Sequence, residues 1–153
     1  MLFLLFELGS DRYALEASLI VEVLPLVDLK RIPRAPPEIA GVMRYRGAPV
    51  PVVDLCQAAL GRPSLARLST RIVLVRSSGE DGREHVLGLI AEVATEMLRR
   101  DPSDFVPSGV ANAAAPYLGP LTPDARGLIQ RIDVDRLLPE AVRALVFEQR
   151  VMA

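Results

Sequence analysis

Residues Ile39 to Leu55 read IAGVMRYRGAPVPVVDL. Ile39 to Met43 is apolar and β-prone, Arg44, Tyr45 and Arg46 interrupt it, Gly47-Ala48-Pro49 turns the chain, and Val50 to Val53 resumes strand character. Two short strands around a charged turn present a surface, and the stretch holds no group suited to bond-breaking chemistry. At the rim of an apolar face Arg46 would serve as a binding anchor, because a guanidinium offers several donors and a stackable plane. Asp54, with Gln57 three residues on, reads as a helix N-cap and capping box over Leu55 to Leu60, and Gly61 and Pro63 stop that helix.

Upstream, Leu2 to Leu8 is an apolar run ended by Gly9-Ser10-Asp11-Arg12, and Tyr13 to Glu16 resumes it, which predicts a β-hairpin. Leu19 to Leu24 continues the β pattern. Pro33 and Pro36-Pro37 rule out helix between Ile32 and Glu38 and leave a rigid extended loop. Downstream, Ile72 to Val75, Val86 to Ile90 and Val93 to Leu98 read as strands of a second β-rich lobe starting at Thr70, with Gly127 to Val134 as its last strand. Pro102 to Pro116 reads as a connecting loop. Pro139 at a first helical position, followed by Val142, Leu145 and Val146, predicts a terminal amphipathic helix packed on its own domain. Short strands with proline-rich and glycine-rich links indicate one or two small barrels.

The chain has 153 residues, enough for one domain or two small packed lobes with a real core. Eighteen Lys plus Arg against nineteen Asp plus Glu give a formal charge of -1, so no basic field is available for nucleic acid. The Met1 to Phe6 run is far short of the ~20 apolar residues that span a bilayer, and without a basic leader and small-residue cleavage site in these residues export by a secretory signal is not expected. A single cysteine, Cys56, excludes an internal disulfide and fits a reducing compartment, so a cytoplasmic location is expected. Cys56 and His85 fall in different expected lobes and read as a buried thiol and a strand-edge imidazole; no His or Cys cluster has metal-ligand spacing, and no cofactor is expected.

These strings resemble the CheW-like domain, the coupling-protein family of bacterial chemotaxis, from about Leu4 to about Leu145. Phe6 to Val23 is similar to the family's opening hairpin and its Val-x-Glu-Val strand, and Pro33 with Ala35-Pro36 to its proline loop. Gly41-Val42 and Arg46-Gly47 are similar to its Gly-Val-x-x-Arg-Gly turn, and Pro51 to Leu55 to its most recognisable run. Val86 to Leu89 with Glu92-Val93, and Ile132 to Asp135 with Leu137-Leu138, resemble its later segments. The resemblance implies a mainly β fold of two intertwined five-stranded SH3-like barrels, with a short helix after the first lobe's last strands and a C-terminal helix. It implies a single domain over 1–147 and a tail at 148–153.

It implies also a non-enzymatic adaptor between the cytoplasmic tip of a chemoreceptor and the regulatory domain of a CheA-like histidine kinase, meeting the membrane only through the receptor. Val21, Glu22, Val23, Gly41, Arg46 and Gly47 are the receptor-binding and kinase-binding candidates. By alternation alone Glu22 is either a solvated outer-face charge or part of a partner surface; the resemblance favours the second. Arg44-Tyr45 stands where the family usually has Asn-Leu, and Glu92 where it has Asp, so the receptor-facing surface is expected to be tuned differently. With Tyr117 to Pro120 and Thr122 to Arg126, the chain is most similar to the coupling proteins of Wsp-type surface-sensing systems, whose output is a diguanylate cyclase. The alternatives are a small β-barrel ligand-binding module without signalling partners and a cysteine-dependent enzyme.

Overall fold

The near-continuous apolar run of β1 (Leu2–Leu8) pairs with β2 (Asp11–Glu16) across a Gly9-Ser10 turn, in which Gly9 takes φ 65°. A computed structural model describes residues 1–78 and 83–137; the expected C-terminal helix and the tail at 148–153 lie outside the described residues. One 3-10 turn, Ala17–Leu19, leads into β3 (Ile20–Pro25). Then follow β4 (Ile39–Tyr45), β5 (Ala48–Asp54), α1 (Leu55–Leu60), β6 (Arg71–Ser78), β7 (Glu84–Arg99), β8 (Leu118–Asp124) and β9 (Gly127–Ile132).

The long strand β7 organises the molecule. Its first half pairs with β6 and β5, and its second half with β1. The pieces expected at Val86 to Ile90 and Val93 to Leu98 are therefore one strand, bent at Val93, which takes φ 49°, where the pairing with β1 shifts register. Strands β3, β6, β7, β5 and β4 make one five-stranded lobe; β7, β1, β2, β9 and β8 make the other. A division into consecutive halves at Thr70 is thus not what forms. The N-terminal hairpin joins the C-terminal one through a parallel β2–β9 pairing, and the lobes are intertwined as the family resemblance implies.

Three apolar clusters follow from this path. Met43, Val50, Val52, Ile72, Leu74 and Ile90 fill the first lobe, and Phe3, Leu5, Ala14, Phe105 and Ile129 fill the second. Between them lies the largest cluster, with Phe6, Leu15, Val53, Cys56, Val73, Leu87, Leu89, Tyr117 and Ile132 among its members. Arg12 fastens the second lobe, donating to both carboxylate oxygens of Asp124 at 2.7 Å.

Strand β8, whose residues enter the sequence reading only through the Wsp-type resemblance, contains Pro120 and Pro123, which are unfavourable inside a sheet. It forms at the sheet edge, pairing with β9 on one side and with the isolated bridge at Val106, and edges tolerate proline. The last strand ends at Ile132, short of Val134. There Asp133 caps a 3-10 turn, accepting from the Asp135 N–H at 3.1 Å.

Asp54 caps α1 as expected, accepting from the backbone N–H groups of Cys56 at 3.1 Å and Gln57 at 3.4 Å, and Gly61 closes the helix at φ 72°. The reciprocal half of a capping box is displaced, since the Asp54 N–H donates to the Glu38 carbonyl at 2.8 Å. Ser64 donates to Asp54 twice, from N–H at 2.9 Å and hydroxyl at 2.5 Å. Glu92 holds the same loop through the Leu65 N–H at 2.7 Å and the Arg62 guanidinium at 3.4 Å. It is buried, so this departure from the family pattern does not alter a surface.

Burial alone would push the Glu92 carboxyl up, but the Leu65 N–H, Arg62 and the Cys56 thiol outweigh it and hold it below the ordinary 4.5. A folded-state value below the unfolded one means that the stabilisation is complete above about pH 4.5 and disappears as pH falls through the folded value. Asp124, lowered by Arg12, acts in the same direction. Urea midpoints are expected to fall on acidification below about pH 4.5, and to fall less steeply in Glu92→Gln. Parallel profiles for the two proteins would remove Glu92 from this account.

Candidate functional site

Tyr45 pairs with Ala48, so the β4–β5 hairpin closes on the two residues Arg46 and Gly47. Their φ angles are 49° and 81°. Two successive positive values define the type I′ turn, whose twist matches that of the flanking strands. The turn is therefore one residue earlier than the expected Gly47-Ala48-Pro49, and Arg44 and Tyr45 belong to β4 rather than interrupting it. Pro49 and Pro51 fall opposite Arg44 and Val42, the alternate pairs at which the ladder to β4 asks for no N–H from β5. Val42 directs both its backbone groups the other way, to Lys30, at 2.8 and 2.9 Å.

Arg46 is a non-glycine residue in the left-handed region, a conformation that costs roughly 1–2 kcal/mol and calls for a reason. Its guanidinium carbon lies 5.1 Å from the centre of the Tyr45 ring, in cation–π range. Gly47 is exposed, and a Cβ there would meet nothing within 4 Å, so only its backbone angle demands glycine. Gly41 is different. It is buried, and a Cβ on it would sit 2.6 Å from the Lys30 carbonyl oxygen and 2.9 Å from the Leu29 Cβ. Here the strand needs close backbone approach, as its pattern suggests.

Val21, Glu22 and Val23 lie half-buried on β3, which ends one side of the sheet path. The pairing to β6 skips Val21: Ile20 faces Val75 and Glu22 faces Leu74. This bulge interrupts simple alternation, so Val21 packs on the first-lobe core and Val23 on the cluster between the lobes. Glu22 has a third role beside the two weighed from sequence. It accepts a hydrogen bond from the Tyr45 hydroxyl at 2.5 Å, and that carboxylate acceptor, ahead of partial desolvation, holds the phenol above its ordinary 10.0.

The structure thus joins Glu22, Tyr45 and Arg46 in one group and places Gly47 beside it, while Gly41 is an internal packing point further down β4. In the sequence Tyr45 reads as part of the charged turn and as a departure from the family pattern, and it is not among the expected site residues. Its alternation with the buried Met43 does point its ring inward, but its partner stands 23 positions away and carries no local signal. An open depression beside the hairpin is lined by Lys30, Val42, Met43, Arg44, Gly47 and Pro49; Lys30 and Arg44 were not among the expected site residues.

Cys56 is buried in the cluster between the lobes, and burial raises its thiol, with Glu92 adding to the rise and Ser64 opposing it. That is opposite to the activation a nucleophilic cysteine needs. Among the described residues no three His, Cys, Asp or Glu side chains are grouped to hold a metal ion, and no helix is long and apolar enough to cross a membrane.

The chain is 25% identical over 146 residues to the chemotaxis protein CheW of Klebsiella aerogenes, a match spanning 94% of this chain and 85% of that protein. In structure it is similar to the scaffolding protein TtCheW from Thermoanaerobacter tengcongensis, with a TM-score of 0.79 and 23% identity, over 90% of this chain and 87% of that one; this likeness carries the fold. The family model described as the CheW-like domain matches residues 2–142. With the two interlocked lobes and the Arg46-Gly47 hairpin in place, the chain belongs to the CheW-like domain family.

Proposed function

We propose that this chain is a non-enzymatic adaptor that holds the cytoplasmic tip of a methyl-accepting receptor against the regulatory domain of a CheA-like histidine kinase. The observation that carries the reading is the Arg46 guanidinium, exposed on a strained two-residue turn and seated on Tyr45, which is hydrogen-bonded to Glu22 of β3, the end strand of the sheet path. Family membership supports it, as does a relative named for chemotaxis. A receptor hairpin would lie in the groove between the lobes, and the kinase domain on an exposed sheet edge. Such a bridge transmits a signal only by contacting its partners differently in two states, so that a small receptor movement biases the kinase between them. Its place is the cytoplasmic face of receptor arrays, reached through the receptor.

Arg46→Ala is expected to weaken partner binding roughly 30-fold, the loss of about 2 kcal/mol typical of an arginine anchor, while the melting temperature stays within a degree or two. Pull-down of receptor tip and kinase domain at wild-type levels by the variant would dismiss Arg46 as an anchor.

The finer reading is a Wsp-type pathway ending in a diguanylate cyclase. Arg44-Tyr45, Tyr117 to Pro120 and Thr122 to Arg126 support it by resemblance. A receptor, a hybrid kinase and a cyclase-bearing response regulator in the neighbouring reading frames would decide for it, and flagellar genes there against it.

A further inference from the structure

We propose that Tyr45 is the specificity-determining residue of this docking face: it withdraws the Glu22 carboxylate from the surface and carries the Arg46 guanidinium, leaving a cationic face that fits a partner segment presenting a carboxylate. The inference rests on the adaptor reading above and names the chemistry of the partner's contact.

Four observations lead to it. The Tyr45 hydroxyl donates to Glu22 at 2.5 Å, so the only acidic group among the six candidate residues is already engaged inside the protein. The ring that holds Glu22 at its edge supports Arg46 over its face, which fixes the separation of the two charges through one rigid side chain. The Arg46-Gly47 turn has little backbone freedom, because both residues occupy the left-handed region. Finally, the depression next to the turn carries Lys30 and Arg44 and no acidic residue in its lining, and among the described residues Lys30, Arg44 and Arg46 form no ion pair.

Three cations that form no ion pair among the described residues, set around the hairpin tip, favour an acidic partner by charge complementarity, and the like-charge penalty disfavours a basic one. Glu22 would spoil this selection if it were released. A free carboxylate beside the same ring competes for Arg46 and repels the incoming acid. Leucine, usual at the Tyr45 position in the family, has no hydroxyl with which to hold a carboxylate, so the device belongs to sequences with tyrosine here.

The test uses the full chain and three variants against the receptor tip and the kinase regulatory domain from the same cell, with affinity measured at two salt concentrations. Tyr45→Phe keeps the ring under Arg46 and removes only the hydroxyl; it is expected to weaken binding roughly fivefold, an effect that shrinks at high salt. Glu22→Gln sets the reference for a double-variant cycle. Adding Tyr45→Phe to Glu22→Gln is expected to change affinity by less than twofold relative to Glu22→Gln, since no carboxylate remains to be released. A merely structural hydroxyl would cost the same fivefold in the Glu22→Gln background, and that outcome overturns the proposal, as does unchanged affinity in Tyr45→Phe. Alkaline absorbance titration adds an independent readout: with no tryptophan and only three tyrosines in the chain, Glu22→Gln should move one phenol to a lower midpoint. An unmoved titration curve would show that the latch does not exist in solution. Failure of the wild-type chain to bind either partner would instead bring down the adaptor reading itself.

Discussion

Gly41→Asp is expected to abolish the soluble folded protein or to lower its melting temperature by about 10 °C or more. The hydrogen on Gly41 faces backbone: a Cβ would lie 2.6 Å from the Lys30 carbonyl oxygen, well inside contact distance. Lys30 cannot yield cheaply, because it exchanges two hydrogen bonds with Val42, the residue next to Gly41. Overpacking of this kind costs about 1–3 kcal/mol, and a carboxylate forced into a buried site without a partner adds at least as much. Against a total stability of about 5–15 kcal/mol, the sum removes much of the margin. Gly41→Ala carries the steric part alone and should fall between wild type and Gly41→Asp in thermal denaturation. A Gly41→Asp protein that is soluble, melts like wild type and binds both partners would refute the close approach of β4 to the Leu29–Lys30 segment.

Asp54→Ala should be the second most damaging change. Asp54 is buried and accepts four hydrogen bonds: two from the first turn of α1 and two from Ser64. Loss of the cap costs about 1 kcal/mol, and leaving the Ser64 N–H and hydroxyl without their acceptor costs roughly 1–3 kcal/mol more. A fall of about 3 kcal/mol, or close to 10 °C, is expected in urea and thermal unfolding. Asp54→Asn separates the two functions. With its amide oxygen in the place of Oδ1, it can still cap α1 and accept from the Ser64 hydroxyl, but its amide nitrogen then faces the Ser64 N–H, so part of the loss should remain. That residual deficit should persist when Ser64→Ala is added, because the opposed donor is a backbone N–H. A change within about 0.5 kcal/mol for Asp54→Ala, the range of ordinary surface substitutions, would show that Asp54 has no such structural role.

Neither site is chemically reactive. The two groups most suggestive of chemistry, Asp54 and Cys56, are consumed by structure: the first as a cap and loop strap, the second as a buried thiol whose environment disfavours the thiolate. What remains accessible is a hairpin tip bearing arginines beside an open strand, which suits recognition.

Much of this was legible from residues alone. The β character of nearly every strand, the Asp54 cap and the need for glycine at position 41 follow from short-range devices such as alternation, capping and turn chemistry. Hairpin closure was read one residue late because Gly-x-Pro is the stronger turn signal on its face. The I′ turn that forms instead places arginine in a region where asparagine or glycine is cheaper. Strand β8 was hidden by its prolines, which an edge position excuses, and an edge is a property of the sheet.

By itself, then, the sequence determined which segments extend, where α1 starts and stops, and which family's pattern the chain follows, since each depends on residues within a few positions of one another. Only the tertiary structure decided that β7 serves both lobes, that the N-terminal hairpin completes its lobe with β9 more than 110 residues later, and that Glu22 belongs to Tyr45. Those pairings are selected by the shared burial of apolar faces and by the geometry of bulges and turns summed along the chain. No local window contains that information, because the partner that stabilises each strand is brought to it only by the path of all the others.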